Sequence, residues 1–294
     1  MHFPVLLREI IDYLDPETGD VILDATLGGG GHAIEILKKI LPGGKLIALD
    51  RDPEAIERAR PRLEGFKDNI TYINDDFRNI DGILVRAGEG RVDGAVFDLG
   101  ISSFQIDDGG RGFSFLEEGP LDMRFDIRQR LSAGDVVNRF GKEELADIIK
   151  KYGEERHAGL LAGAIVEARK KKRIKTTKEL SDIICRAIGR KYRRQRLHYA
   201  ARTFQALRIY VNDELAAVEE GVGKTVFHLR PGSRICVISF HSLEDRIIKN
   251  IFRAMAKSGE IAILTKKPVR PGREEIRANP RSRSAKLRVA ERMA

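Results

Sequence analysis

An α/β fold, with a largely parallel sheet covered by helices on both faces and interrupted by an inserted small all-helical domain, is predicted by three observations. Short apolar strands alternate with helical stretches over residues 21–100. The first strand enters its helix through four consecutive glycines. The next strand of the same type does not come until residue 233, too far along the chain for one crossover.

Val21, Ile22 and Leu23 read as a short buried strand, and Ala33, Ile34 and Leu37 follow at helical spacing. Residues 28–31, all glycine, occupy the start of that helix, where the backbone can approach a ligand and unpaired N–H groups of the first turn point toward it. KLIALD forms a second strand ending at Asp50, and PEAIERARPRLEGF a helix. ITYINDD at 70–76 and GAVFDLG at 94–100 supply the third and fourth strands. Ligands of such Rossmann-like sheets bind beyond the carboxyl ends of the strands, a rim that here carries Asp24, Asp50, Asp75 or Asp76, and Asp98. The fifth strand, SRICVISF at 233–240, brings His241 to the same rim ahead of a helix expected to be capped by Ser242.

The intervening stretch is expected to be helical and basic. KEELADIIKKYG spaces Leu145, Ile148, Ile149 and Tyr152 for one helix face and is closed by Gly153, while TTKELSDIICRAIG opens on a Thr176 to Glu179 capping box. The expected division is 1–108 with 205–294 for the sheet domain and 109–204 for the insert, with TFQALRIYVNDELAAVEEGV returning the chain to the sheet.

Net charge is +9 over 294 residues, but it is unevenly placed. Residues 169–208 carry 15 Lys or Arg against Glu179 and Asp182, residues 264–294 carry 10 against three Glu, and the remainder nets −11. Two basic blocks on an acidic body point to a polyanionic partner, because neutralising phosphates releases counterions. Cys185 and Cys236 are too few for a disulfide framework and are expected to be buried and inert. Arg8, Glu9 and Asp12 interrupt the N-terminal apolar run, and no stretch approaches the ~20 apolar residues of a membrane span, so a cytoplasmic location is expected. The six histidines show no zinc spacing and no nucleophile triad is legible, so no metal is expected.

GGGGHA at 28–33 satisfies the G-x-G-x-x-A pattern, and Asp50 lies about 20 residues beyond the first glycine, where a carboxylate accepts from ribose hydroxyls. NAD and S-adenosylmethionine share that ribose, so the pattern alone permits an NAD-dependent oxidoreductase as well as a methyltransferase. DLGISSFQ sets Asp98 where a reacting group would meet the cofactor, with Ser102, Ser103 and Gln105 as polar contacts.

HFPVLL at 2–7, DATLGGGGH at 24–32, DLGISSFQ at 98–105, RGFSF at 111–115, GPLDMR at 119–124, YGEER at 152–156, RTFQALRIYVN at 202–212, ISFHSLEDR at 238–246 and NPRSRSAKLRVAER at 279–292 occur in that order. Together they resemble the RsmH family, also called MraW, across nearly the whole chain. The resemblance implies a class I S-adenosylmethionine-dependent methyltransferase that modifies N4 of a cytidine in bacterial 16S ribosomal RNA, in the decoding region of the small ribosomal subunit. It places Gly30, Gly31 and His32 against the cofactor, Asp50 on its ribose, Phe77 beside its adenine, and Asp98 and Gln105 in the same set. Asp98, or the backbone carbonyl of Leu99 or Gly100, is the candidate acceptor for the amine hydrogens. DLGI lacks the Asp/Asn/Ser-Pro-Pro-aromatic run of DNA amino methyltransferases. Arg202, His241, Arg281 and Arg283 are the candidate RNA contacts. Relatives commonly read HPATRTFQ where this chain has HYAARTFQ, so Tyr199 and Ala201 replace Pro and Thr just before the return helix, a departure that bears on local loop shape and on any substrate contact there but not on the cofactor site. A noncatalytic RNA-binding assembly factor that retains a nucleotide fold is the remaining alternative.

Overall fold

The computed structural model describes residues 4–189 and 199–294, so His2, Phe3 and the basic run at 190–198 lie outside the described residues. The chain divides into two units, Met1–Gly100 with Leu215–Ala294, and Ile101–Glu214. Both expected boundaries, near 108 and 204, are therefore displaced, and the insert is larger at each end. The reason lies in helix Ala200–Asn212, which was expected to return the chain to the sheet. Its Phe204, Leu207 and Val211 sit in the helical core beside Leu145 and Ile149, and Asn212 at its end donates to the Met123 carbonyl at 2.7 Å.

The first unit holds a seven-stranded sheet, β1 Val21–Asp24, β2 Lys45–Asp50, β3 Ile70–Asn74, β4 Val92–Asp98, β5 Leu229–Ser239, β6 Ile261–Ile263 and β7 Lys286–Arg292. Their order is β3-β2-β1-β4-β5-β7-β6. The first five are parallel; β7 runs antiparallel between β5 and β6. The basic tail thus contributes a strand that its charge pattern had masked. Alternation along the strands feeds two cores: Leu23, Ile47, Leu49, Phe97 and Val237 on one face, and Ile22, Leu46, Ala48, Val96 and Ile238 on the other. Each such side chain, removed from water, contributes roughly 1.5–3 kcal/mol. Order reverses at β1, with β2 on one side and β4 on the other, and this switch point is where open α/β sheets form their ligand crevice.

The second unit packs helices Ala133–Arg139, Lys142–Gly153, Ala158–Lys171, Thr177–Ile188 and Ala200–Asn212 around one core. Thr176 and Glu179 form the expected capping box. Gly153 ends its helix for a different reason from the expected one. The left-handed residue that stops the helix is Glu154, φ 48°, while a Cβ on Gly153 would lie 2.6 Å from the Arg202 carbonyl. Glycine there permits close approach of two helices. Cys236 is buried as expected, but Cys185 is only half-buried.

Candidate active site

Between β1 and helix Gly31–Ile40 the chain is held by backbone bonds, Leu27 N–H to Leu49 at 2.8 Å and Gly30 N–H to Leu27 at 2.8 Å. Gly28 and Gly30 have φ of 50° and 71°, the left-handed region that glycine enters without strain. Gly30 is the N-cap and offers no side chain to the first turn, so the N–H groups there are directed outward. Gly31 opens the helix with the Pro4 ring packed against it. The Arg62 guanidinium hydrogen-bonds the Gly29 carbonyl and steadies the crest of the loop.

His32, on the first turn, is 6% exposed. Its Nε2 is 2.9 Å from the Val5 carbonyl oxygen and its Nδ1 is 3.8 Å from Asp98 Oδ2. Burial lowers its pKa. A neutral ring that donates from Nε2 to Val5 presents Nδ1 as an acceptor toward Asp98.

Three carboxyls converge at the ends of β1, β2 and β4. Asp24 is 2% exposed and accepts from Thr26 N–H at 3.2 Å. Burial pushes it up to about 7; His32 opposes the rise, while Asp98 and Asp50 add to it. Asp50 accepts from Gly28 N–H at 2.9 Å and Asp52 N–H at 2.8 Å, so its orientation is fixed while each oxygen keeps a lone pair. Burial raises it to about 6 despite those bonds. Asp98 is positioned by its own N–H, which donates to Thr26 Oγ1 at 2.6 Å. Its Oδ1 is buried without a hydrogen-bond partner, and burial, reinforced by the Glu244 carboxylate, pushes it up to about 7. Among the described residues no Lys or Arg pairs with Asp24, Asp50 or Asp98. Near neutral pH this rim therefore holds incompletely ionised carboxyls.

Phe77 follows β3 beyond Asp76 and is half-buried, edge-to-face on Phe97 at 5.4 Å between centroids. Gly221 makes room for it, since a Cβ there would lie 2.3 Å from Phe77 Cδ2. His241, rather than Ser242, is the N-cap of helix Ser242–Lys257. Its Nδ1 accepts from Glu244 N–H at 3.3 Å, and Nε2 lies 3.1 Å from Glu244 Oε1 without hydrogen-bonding alignment. Imidazole nitrogen has replaced hydroxyl oxygen as the capping acceptor, which a search for Ser, Thr, Asp or Asn does not find. Arg281 and Arg283 are exposed on either side of buried Ser282, whose hydroxyl donates to Asn279 at 2.7 Å. The later cations of that tail are structural: Lys286 and Arg288 both bond Asp245, at 3.0 and 2.7 Å.

Gln105 and Arg202 belong to the helical unit. Gln105 is buried and closes a capping box with Ser102, Oε1 accepting from Ser102 N–H at 3.0 Å; the Ser103 side chain lies outside the description. Arg202 lies 3.7 Å from Glu155 Oε2, with its side chain 44% exposed. The geometry thus brings Gly30, Gly31, His32, Asp50 and Asp98 onto one rim, sets Phe77 beyond the end of β3, and gives the four proposed RNA contacts separate surroundings.

Residues 1–293 match the MraW methylase family. The chain belongs to that family. It is 53% identical over 292 residues to the ribosomal RNA small subunit methyltransferase H of Persephonella marina, an alignment covering 99% of each chain. The protein of the same name from Halothermothrix orenii is 48% identical over 307 residues, covering 99% of this chain and 98% of that one. In fold it is similar to the crystal structure of a candidate rRNA-methylase from Clostridium thermocellum, with a TM-score of 0.50, 12% identity and full coverage of both chains.

As an MraW family member the chain is a methyltransferase with a class I sheet, and S-adenosylmethionine is its cofactor. That assignment removes the NAD reading which the glycine pattern had left open. The rim suits such a cofactor chemically: it offers outward N–H groups, a fixed carboxyl acceptor in Asp50, and a carboxyl oxygen in Asp98 that no hydrogen bond occupies. Sequence reasoning overlooked Thr26, which orients Asp98 through its hydroxyl, and Glu244, whose charge acts on Asp98. Thr26 lies inside the DATLGGGG run and Glu244 inside SFHSLEDR, but neither belongs to a pattern that the glycine-loop fingerprint uses.

Proposed function

We propose that this MraW family member transfers a methyl group to N4 of a cytidine in bacterial 16S ribosomal RNA, in the decoding region of the small subunit. The observation that carries the reading is Asp98, a carboxyl at the end of β4 whose Oδ1 has no partner and whose ionisation is balanced near neutrality. Bound S-adenosylmethionine supplies an activated methyl group on a positively charged sulfur. Gly30, Gly31, His32 and the outward N–H groups of the helix start would hold the cofactor's polar end, Asp50 would accept from its ribose, and Phe77 would lie beside its adenine.

The N4 lone pair is delocalised into the cytosine ring, so the amine is a weak nucleophile until a base accepts one of its hydrogens. On taking the methyl group N4 would give up a proton, and the electron pair of the cleaved carbon–sulfur bond would leave with the donor. Asp98 accepts that proton, assisted by the Leu99 or Gly100 carbonyl as a second acceptor. Holding the reacting atoms at ~3–3.5 Å can supply several kcal/mol of the barrier. The base must leave its stack to reach the rim, at a cost of a few kcal/mol. Arg281 and Arg283, both exposed on the tail, offset that cost by gripping the surrounding phosphates, and Arg202 adds a further cationic contact, whereas both ring nitrogens of His241 are buried at the start of its own helix. No metal ion enters this scheme, because the donor carries its own leaving group. Ribosomal RNA within the small subunit implies a cytoplasmic location, and no helix among the described residues is long and apolar enough to cross a membrane.

The test is to incubate the protein with labelled S-adenosylmethionine and small subunits lacking the modification, then digest the RNA. Label in N4-methylated cytidine is expected. Label in another nucleoside would refute the target, and bound cofactor with no label in any ribosomal RNA would favour a noncatalytic assembly factor.

A further inference from the structure

Asp24 is not needed to explain any step above, yet it is among the most buried charged groups of the sheet unit, 2% exposed at the end of the strand next to β4. Charged groups act on it from three elements. His32 comes from the helix after the glycine loop, Asp50 from β2 and Asp98 from β4. Beyond these, Glu244 acts on Asp98, Glu275 on His32 and Asp52 on Asp50. The cluster is overwhelmingly acidic. Its one candidate cation among the described residues, His32, is held by the Val5 carbonyl and depressed by burial. Two carboxyls on adjacent strands thus share a site without a permanent counter-charge, and Asp98 Oδ1 has no hydrogen bond to stabilise its ionised form.

The cofactor's net charge changes during the reaction proposed above, on which this inference rests for its direction of turnover. Its methylated form is cationic at sulfur and its demethylated product is neutral there. We propose that Asp24, acting together with Asp98, selects the cofactor by charge: the pair holds fewer protons when the cationic methyl donor is bound than when the neutral product is bound. Donor binding then expels protons to solvent. When transfer removes the positive charge, the pair regains its affinity for a proton and retains the one released by N4. Charge is conserved within the pocket: one positive charge leaves sulfur as one proton arrives on carboxylate. Asp24 acts through Asp98 and the shared field, so it is a positioning residue, and its effect lies in the proton count.

Asp24 near 7 and Asp98 near 7 put this exchange in the physiological range. A proton released on binding makes affinity rise with pH, by up to about tenfold per pH unit for one full proton. The preference for donor over product should therefore increase several-fold between about pH 6 and about pH 8.

The experiment is calorimetric titration of the full chain, without RNA, with S-adenosylmethionine and with S-adenosylhomocysteine. It is run near pH 7 in phosphate and in Tris, whose different ionisation enthalpies reveal the protons exchanged. Greater proton release for the donor is expected in the native protein. Asp24→Asn, nearly isosteric, should at least halve the difference while still binding S-adenosylhomocysteine, which also reports that the variant is folded. Should Asp24→Asn fail to bind, the pH dependence of the donor-to-product affinity ratio in the native protein decides instead. Equal proton counts for the two ligands, a pH-independent ratio, or an unchanged difference in Asp24→Asn would overturn the proposal. Because no RNA is present, a wrong methylated base in the digestion experiment would leave this result standing, and binding of neither ligand would refute the cofactor site along with it.

Discussion

The helical unit and the strand-end rim of the sheet unit treat buried charge in opposite ways. In the helical unit Arg208 and Glu214, both about nine-tenths buried, are joined by two bonds of 2.7 and 2.8 Å. Asn212 beside them donates to the Met123 and Arg208 carbonyls and accepts from Phe125 N–H. Among its described residues the orphaned side-chain polar atoms, the Tyr199 and Thr203 hydroxyls, are neutral. In the sheet unit Asp24, Asp50 and Asp98 are gathered without a Lys or Arg partner. A completed network specifies architecture, whereas an uncompleted one stores an interaction for something that binds.

The largest effect expected from this contrast is structural. Arg208→Ala leaves the Glu214 carboxylate buried alone and should cost about 3–5 kcal/mol in denaturant unfolding. A loss under about 1 kcal/mol would show that the pair is solvated and that the contrast is drawn too sharply.

Next is catalysis at the unfinished site. Asp98→Asn should lower methyl transfer by about a hundredfold or more while S-adenosylhomocysteine still binds. Unchanged turnover would remove Asp98 as proton acceptor and leave the backbone carbonyls of Leu99 and Gly100.

The same carboxyls set the pH dependence of stability. Asp24 and Asp98 have folded-state values near 7 against an ordinary 3.8, so the folded chain binds their protons more tightly than the unfolded chain. Their contribution is therefore lost as pH rises from about 4 to about 7, and it is recovered when a cationic ligand binds. Asp24→Asn should raise the cofactor-free Tm at pH 8 by several degrees and flatten its decline with pH. A Tm at pH 8 no higher than that of the native protein would mean that water already reaches the Asp24 carboxylate.

A smaller effect is expected from the exposed tail. Reversing Arg281 and Arg283 to Glu should raise the RNA KM about tenfold and leave S-adenosylmethionine affinity unchanged. Reduced cofactor affinity would assign the pair to the sheet rather than to RNA. The smallest is Tyr199→Phe, which deletes a buried hydroxyl that makes no bond. Stability should change by under about 1 kcal/mol, in either direction, because no hydrogen bond is lost.

The five parallel strands were legible because strand alternation and the glycine loop are local properties of the sequence, and the carboxylate rim followed from where those strands end. Each expected strand lay within a few residues of its place, although β3 stops at Asn74 and β4 at Asp98. The tail was read through its charge, yet Leu287, Val289 and Ala290 are buried in β7 and the Lys286 and Arg288 heads turn back to Asp245. Long basic side chains on a strand concealed its alternation. The insert boundaries differ from the expected ones because spacing alone does not say which core the apolar face of helix Ala200–Asn212 joins, and its contacts with Gly153, Met123 and Phe125, distant in the chain, hold it in the helical unit. Nor could sequence spacing reveal that Asp98 Oδ1 lacks a hydrogen-bond partner, since hydrogen bonding depends on residues distant in the chain.

The most direct test of the central claim is hydrogen exchange across the chain with and without S-adenosylmethionine. Protection should concentrate at 24–32, 50–52, 75–77 and 98–100, with helix Thr177–Ile188 unchanged. Protection confined to helices of the second unit, with none at the ends of β1, β2 and β4, would contradict the placement of the site.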